Sequence, residues 1–178
     1  MAEAYIETAI TKLNEKEFIK SVRNYLSFLI KEGRFDLFSQ FIQNKNDNDL
    51  VLNFETFEYF TISDLFFVLK GKRITKLEME QGNTYFMGSS EYNNANTTKI
   101  KKEPIFSADT LTVNYDGSVA EAFYQPFPYW ALDSVNVLKP KFNLNPYIGL
   151  FIATIIRQEK YRFNYGRKWG KEIMEKSR

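Results

Sequence analysis

The spacing of apolar residues changes once along this chain, near residue 44, and that change restricts the fold. Between residues 3 and 44, apolar side chains recur every three or four positions, as on one face of a helix. These positions are Ile6, Ile10, Leu13, Phe18, Val22, Leu26, Leu29, Ile30, Phe35, Phe38 and Ile42. Gly33 interrupts the pattern as a glycine does after the last turn of a helix. Two or three short amphipathic helices are therefore predicted, and each needs a partner surface.

Beyond residue 50 the sequence is typical of short strands. The segment 44–50, NKNDNDL, favours local side-chain to backbone bonds, so a boundary is predicted there. Short runs rich in β-branched and aromatic residues follow, separated by turn residues. The runs are 59–62, 66–69, 84–87, 110–115, 121–124 and 134–138. We therefore predict an α+β fold, in which an irregular, twisted, mostly antiparallel β region (51–178) packs with helices and follows a short helical N-terminal segment (1–50).

Two local signals define finer features of the β region and its helices. Asp116-Gly117 lies between two β-prone runs and predicts a tight hairpin turn, because glycine tolerates a positive φ. Asn145-Pro146 is typical of a helix start, and the apolar spacing after it predicts a helix over 144–159. A final basic helix is predicted to begin near Lys168.

Two missing residue types argue against catalysis. The chain has no Cys, which excludes disulfides, thiolate metal sites and a cysteine nucleophile. It has no His, which removes the commonest general base and the usual zinc ligand. Asn145-Pro146-Tyr147 lacks the second proline of the amino-methyltransferase signature, and no clustered carboxylates indicate a nuclease. A non-catalytic protein without a cofactor or metal is expected.

The sequence also indicates where the protein is found. Its N-terminus lacks the basic start and apolar core of a secretion signal, and no apolar run approaches the ~18 residues that span a bilayer. We therefore expect a cytoplasmic protein that does not contact a membrane.

Basic residues are concentrated in two segments. Residues 70–102 hold seven cations against three carboxylates, and residues 152–178 hold eight against three. In the first segment, amides and hydroxyls lie beside lysines, a mixture that suits base edges and phosphates. In the second, aromatic and cationic side chains alternate. The candidate DNA-binding residues are Lys70, Lys72, Arg73, Ser89, Ser90, Asn93, Asn94, Lys99, Lys101, Lys102, Arg162, Tyr165, Arg167 and Lys168.

The competing interpretation of both basic segments is a solvated polar surface without a ligand. Three aromatic residues beside the second segment, Tyr161, Phe163 and Trp169, are expected to lie in the core.

From about Phe57 to the last residue, six motifs in order resemble the target-recognition domain of type I restriction-modification specificity subunits, which also occurs in fused restriction-methylation enzymes. The motifs are Tyr59-Phe60-Thr61-Ile62-Ser63-Asp64-Leu65-Phe66, Lys70-Gly71-Lys72-Arg73, Gly88-Ser89-Ser90 with Asn93-Asn94, the run 116–125 (DGSVAEAFYQ), the run 133–140 (DSVNVLKP) and the run 161–168 (YRFNYGRK).

The resemblance implies a domain that reads one part of a split double-stranded DNA target through loops of its β region. The implied partners are a bacterial DNA methyltransferase (modification) subunit and, through it, the restriction subunit. Base-reading residues vary within such families, so the candidates above come from side-chain chemistry alone. Specificity subunits usually carry two such domains joined by long helices. A fragment, a half-sized subunit that forms a homodimer and part of a fused enzyme are the open alternatives.

An interpretation from another class is a protein-interaction module that docks another subunit without touching DNA. Ionic strength separates the two. DNA binding weakens steeply with salt through counterion release, whereas a mainly apolar protein contact changes little.

Overall fold

The computed structural model describes residues 15–43 and 59–178. The predicted boundary at 44–50 and the apolar positions Ile6, Ile10 and Leu13 lie outside the described residues. Five α-helices lie within them: α1 (Glu15–Lys31), α2 (Phe35–Gln43), α3 (Ile62–Leu65), α4 (Pro146–Gln158) and α5 (Lys171–Glu175). The strands of the same part of the chain are β1 (Phe66–Lys70), β2 (Gln81–Met87), β3 (Asn96–Ile100), β4 (Thr110–Asn114), β5 (Ala122–Gln125), β6 (Tyr129–Ala131) and β7 (Val135–Pro140).

The strands form two sheets that are almost entirely antiparallel. In the larger sheet the order is β1-β7-β4-β5, and every neighbouring pair is antiparallel. In the smaller sheet β2 lies between β3, which is antiparallel to it, and β6, which is parallel to it. The predicted α+β fold with a mostly antiparallel β region is confirmed.

The N-terminal helices close the core of the larger sheet. Tyr25, Phe28 and Leu29 of α1 are buried, and the ring of Tyr25 lies 5.7 Å from that of Tyr124 on β5. The hydroxyls of Ser21 on α1 and Thr154 on α4 share a hydrogen bond of 2.7 Å. The apolar face predicted for the second helix therefore meets a partner surface within this chain.

Gly33 ends α1 as predicted. Its φ is +68°, and the N–H groups of Gly33 and Arg34 donate to the carbonyls of Ile30 (3.0 Å) and Leu29 (2.9 Å). These bonds satisfy carbonyls that the end of the helix leaves open. Asn145 caps α4 as predicted, because its side-chain oxygen accepts from the N–H of Ile148 at 3.0 Å.

Three predicted elements need correction. The run 59–62 is not a strand, because Thr61 starts α3: its hydroxyl accepts from the N–H of Asp64 at 3.2 Å, and the Asp64 carboxylate accepts from the N–H of Thr61 at 2.6 Å. The β4–β5 hairpin exists, but residues 115–121 connect its strands in place of a tight turn. The final helix begins at Lys171, three residues after the predicted start.

None of the helices in the described parts of the chain combines the length and apolar character needed to cross a lipid bilayer.

Candidate nucleic-acid interface

Five chain segments join into one continuous surface, here called the loop surface: residues 70–73, 88–90, 115–118, 132–134 and 164–168. The N–H of Gly71 donates to the carbonyl of Val135 (2.9 Å), the residue directly after the segment 132–134. The N–H of Tyr115 donates to the carbonyl of Ser134 (3.1 Å). The hydroxyl of Ser89 donates to that of Ser134. These bonds fix four of the five segments to one another.

The fifth segment joins through an ion pair and a ring. The ammonium of Lys168 lies 2.8 Å from the carboxylate of Asp116 and 5.2 Å from the ring centre of Tyr165. The Lys168 ammonium is the main cause of a lowered pKa at the Asp116 carboxyl. The pair is therefore fully charged at neutral pH.

Gly71 allows the backbones at the centre of the loop surface to approach each other. A Cβ at this position would lie 2.6 Å from the carbonyl carbon of Leu132 and 2.7 Å from the carbonyl oxygen of Ala131. The next residue, Lys72, donates its N–H to that Ala131 carbonyl at 2.8 Å. The direction in which the 70–73 segment leaves β1 thus depends on a residue without a side chain.

Two lysines of the loop surface lie over aromatic rings instead of pairing with carboxylates. The Lys70 ammonium is 5.3 Å from the ring centre of Tyr115, and the Lys72 ammonium is 5.9 Å from that of Trp130. The indole N–H of Trp130 donates to the Lys72 carbonyl at 3.0 Å, which fixes the ring. Because a ring orients a cation without neutralising it, both ammonium groups keep their charge available for a phosphate.

Lys102 reaches the edge of this surface from β3. Its ammonium is 5.8 Å from the ring centre of Trp130 and 3.3 Å from the carboxylate of Glu78. Hydrogen bonds from Thr75, together with Lys102, lower the pKa of Glu78 to about 2. Part of the Lys102 charge is therefore balanced within the protein.

The loop surface concentrates positive charge. Its five segments contain five cations and two carboxylates, a net charge of +3, whereas the whole chain carries +2. Arg73 and Arg167 are exposed, and within residues 15–43 and 59–178 neither guanidinium contacts a carboxylate or a ring. Among the cations of the loop surface, these two arginines therefore have the fewest contacts with other side chains of the described residues.

The hydroxyls and amides predicted to read bases are partly fixed by the loop itself. The Ser90 hydroxyl accepts from the N–H of Tyr92 (3.1 Å), and the Asn93 amide donates to the carbonyl of Asn96 (2.8 Å). The backbone carbonyl of Ser90 also accepts a hydrogen bond from the side-chain amide of Asn114 at 3.1 Å. Ser89, Ser90 and Asn93 are half-buried; the two serines belong to the loop surface, and Asn93 follows them three residues later in the chain.

Asn94 requires a correction. Its side chain is 1% exposed, and its amide donates to the carbonyl of Tyr124 (2.8 Å) and to the side-chain oxygen of Gln125 (3.1 Å). The Gln125 amide in turn donates to the Asn94 carbonyl (3.2 Å) and to the Thr112 hydroxyl (2.8 Å). A buried side chain whose amide donors are bonded inside the protein cannot face a DNA groove, so the expectation that Asn94 reads DNA is wrong.

Three further candidates contact other parts of the molecule. The Lys99 ammonium lies 2.6 Å from the carboxylate of Glu32, directly after α1. Lys101 pairs with Glu80 at 3.3 Å, with both side chains in solvent. Arg162 pairs with Glu159 and lines a cavity together with Glu172 of α5.

The aromatic residues near the second basic segment differ from one another. Phe163 and Trp169 are buried, as predicted, and their rings stack with centres 4.3 Å apart. The prediction for Tyr161 is wrong, because 73% of this residue is exposed. Sequence reasoning missed Tyr115 and Trp130, which hold Lys70 and Lys72. Nothing in the local sequence indicates these contacts, because each joins positions more than 40 residues apart.

Within the described residues, no three acidic side chains lie close enough together to hold a metal ion.

Residues 54–177 match the family model for the type I restriction modification DNA specificity domain. The specificity subunit S.BcgI of a type II restriction enzyme from Heyndrickxia coagulans is 34% identical over an alignment of 159 residues, which covers 86% of this chain and 46% of that protein. This chain therefore spans about half the length of that relative.

Solved structures share the fold. The S subunit of a type I restriction-modification system from M. genitalium has a TM-score of 0.56 at 16% identity, covering 98% of this chain and 45% of that one. The HsdS subunit from Thermoanaerobacter tengcongensis has a TM-score of 0.54 at 9% identity, covering 96% and 44%.

Proposed function

Because this chain belongs to the family of type I restriction modification DNA specificity domains, we propose that its loop surface binds double-stranded DNA sequence-specifically. In this proposal the domain performs no bond chemistry. It directs a partner methyltransferase, and through it an endonuclease, to the target. The recognition domain comprises residues 51–178, and the helices α1 and α2 of the preceding segment support it.

One observation carries the proposal: cations without internal counter-charges lie together on a single surface. Lys70, Lys72 and Arg73 follow one another at the end of β1 and suit phosphate contacts. Ser89 and Ser90 belong to the same surface, where Ser89 is bonded to Ser134, and both carry hydroxyls that suit base edges. Hydrogen bonds between the segments hold these groups in place, so little conformational entropy is lost on binding.

The partners follow from the same proposal. Specificity requires a methyltransferase subunit docked on the DNA-bound domain, and a restriction subunit recruited by that complex. Relatives about twice as long as this chain favour a split target. A homodimer would present two loop surfaces to such a target. The lack of cysteine suits a reducing compartment, and we place the complex in the cytoplasm.

Selection of binding sequences from a random duplex pool tests the proposal. We expect the chain, together with its methyltransferase subunit, to enrich one short motif, because fixed side chains in a groove discriminate each base pair by about 1–3 kcal/mol. The same pool supplied as single strands serves as the control and should give no motif. Failure to enrich any duplex motif, with or without the subunit, contradicts the proposal.

A further inference from the structure

A two-residue hairpin projects from the loop surface at residues 164–167. The N–H of Asn164 donates to the carbonyl of Arg167 (3.1 Å), and the N–H of Arg167 donates back to the carbonyl of Asn164 (3.0 Å). The Asn164 side-chain oxygen also accepts from the N–H groups of Gly166 and Arg167, both at 3.0 Å. Four hydrogen bonds therefore fix a tip of only two residues, Tyr165 and Gly166.

The base of this hairpin is anchored in the core. Phe163 and Trp169, which flank it, are 4% and 1% exposed, and their rings are nearly parallel at 7°. The Trp169 carbonyl accepts from the buried amide of Asn136 at 3.1 Å, and its indole N–H donates to the Ser177 hydroxyl at 3.0 Å. Both residues that flank the hairpin are thus fixed in the core.

The two cations at the end of the hairpin, Arg167 and Lys168, differ in their contacts. Lys168 is neutralised by Asp116 and lies over the ring of Tyr165, so it positions that ring. Tyr165 itself is 75% exposed. The Arg167 guanidinium is exposed and contacts no carboxylate or ring in the described parts of the chain. The hairpin therefore presents one planar, uncompensated cation beside one exposed ring.

We infer that Arg167 determines specificity by recognising a guanine in the major groove. A guanidinium offers two parallel N–H donors, which match the O6 and N7 acceptors of guanine. A rigid hairpin places this fork with little loss of entropy, as direct readout of a base requires. This inference rests on the proposed function, because it names the base that the same loop surface reads.

Arg73 provides a matched control. It is also an exposed arginine of the loop surface without a carboxylate or ring partner in the described structure. However, it lies in the segment 71–75, which has no regular secondary structure. We assign Arg73 to phosphate binding, so its removal should weaken the binding of all DNA sequences by the same factor.

The test repeats the duplex-pool selection with Arg167→Ala, Arg167→Gln and Arg73→Ala. For Arg167→Ala we expect the preference for guanine at one position of the motif to fall about tenfold or more, with other positions unchanged. Arg167→Gln should shift that position toward adenine, whose edge a glutamine amide matches. Arg73→Ala should leave the motif unchanged and lower affinity uniformly.

Each outcome has a distinct meaning. An unchanged motif with uniformly weaker binding in both Arg167 variants would make this residue a phosphate contact and overturn the inference, while the proposed function stands. A wild-type chain that enriches no motif would overturn both. Equal unfolding midpoints of wild type and variants exclude misfolding as the cause; they are expected because the guanidinium makes no contact within the described parts of the chain.

Discussion

Replacing Glu121 with Gln is expected to lower the free energy of unfolding by about 3–5 kcal/mol. The carboxylate is 1% exposed and lies 3.9 Å from Lys20, 3.8 Å from Arg157 and in direct contact with Lys160. Burial lowers the pKa of Arg157, whose side chain is also 1% exposed, and Glu121 opposes that shift. Without the carboxylate, a buried guanidinium loses its counter-charge. Urea unfolding followed by circular dichroism measures the change.

The matched control is Glu159→Gln. Glu159 directly follows α4 and pairs with Arg162, but the two side chains are 23% and 43% exposed. An ion pair in solvent contributes little, so this variant should lose less than about 1 kcal/mol. Equal stability of the two variants would show that the Glu121 cluster does not join α1 to α4 energetically.

Replacing Gly71 with Ala is expected to reduce both stability and DNA affinity. The added methyl group would meet backbone atoms of Ala131 and Leu132, which cannot rotate away as a side chain can. The hydrogen bonds from Gly71 to Val135 and from Lys72 to Ala131 would lengthen or break. Overpacking and the lost bonds together cost about 3 kcal/mol. Because the change displaces Lys70 and Lys72, we expect DNA binding to weaken about tenfold.

Gly170→Ala controls for the loss of a glycine. A Cβ at Gly170 has no atom within 4 Å and its φ is −62°, so the stability cost should stay below about 1 kcal/mol. Calorimetric unfolding and a gel-shift titration give the two readouts. A Gly71→Ala protein that melts and binds like wild type would contradict the role assigned to this close approach.

The fold class could be predicted from the sequence because periodicity is a local property. Asn145-Pro146, Gly33 and the β-prone runs act through near neighbours, and all of them except the run 59–62 gave a correct element. Two strands were missed. β3 is polar, with the sequence Asn-Thr-Thr-Lys-Ile, and β6 has three residues shortly after two prolines. Only pairing with β2 makes them strands, and that pairing is not local.

The site could be predicted only in part, for the same reason. Lys70, Lys72 and Arg167 are recognisable as exposed cations, but their assembly into one surface depends on turns distant in sequence. Asn94 lies in a polar loop whose composition resembles a DNA-reading loop. Its partner Gln125 is 31 residues away, so composition cannot distinguish a buried structural amide from an exposed one. The capping pair Thr61 and Asp64 was visible in the sequence and argues against the predicted strand.

The salt dependence of DNA binding tests most directly whether the loop surface meets phosphates. Each phosphate neutralised by a cation contributes about −0.9 to the slope of log K against log salt. With Lys70, Lys72 and Arg73 each neutralising one phosphate, we expect a slope of about −3. A double variant, Lys70→Ala with Lys72→Ala, should make the slope less negative by about 2.

Lys141→Ala is the control for that measurement. Lys141 lies beyond the opposite end of β1, beside Leu65, about 16 Å from Lys70 at the usual rise per strand residue. The account predicts the wild-type slope for Lys141→Ala and the reduced slope for the double variant. An affinity that does not change with salt, or the same slope in all three proteins, would contradict it.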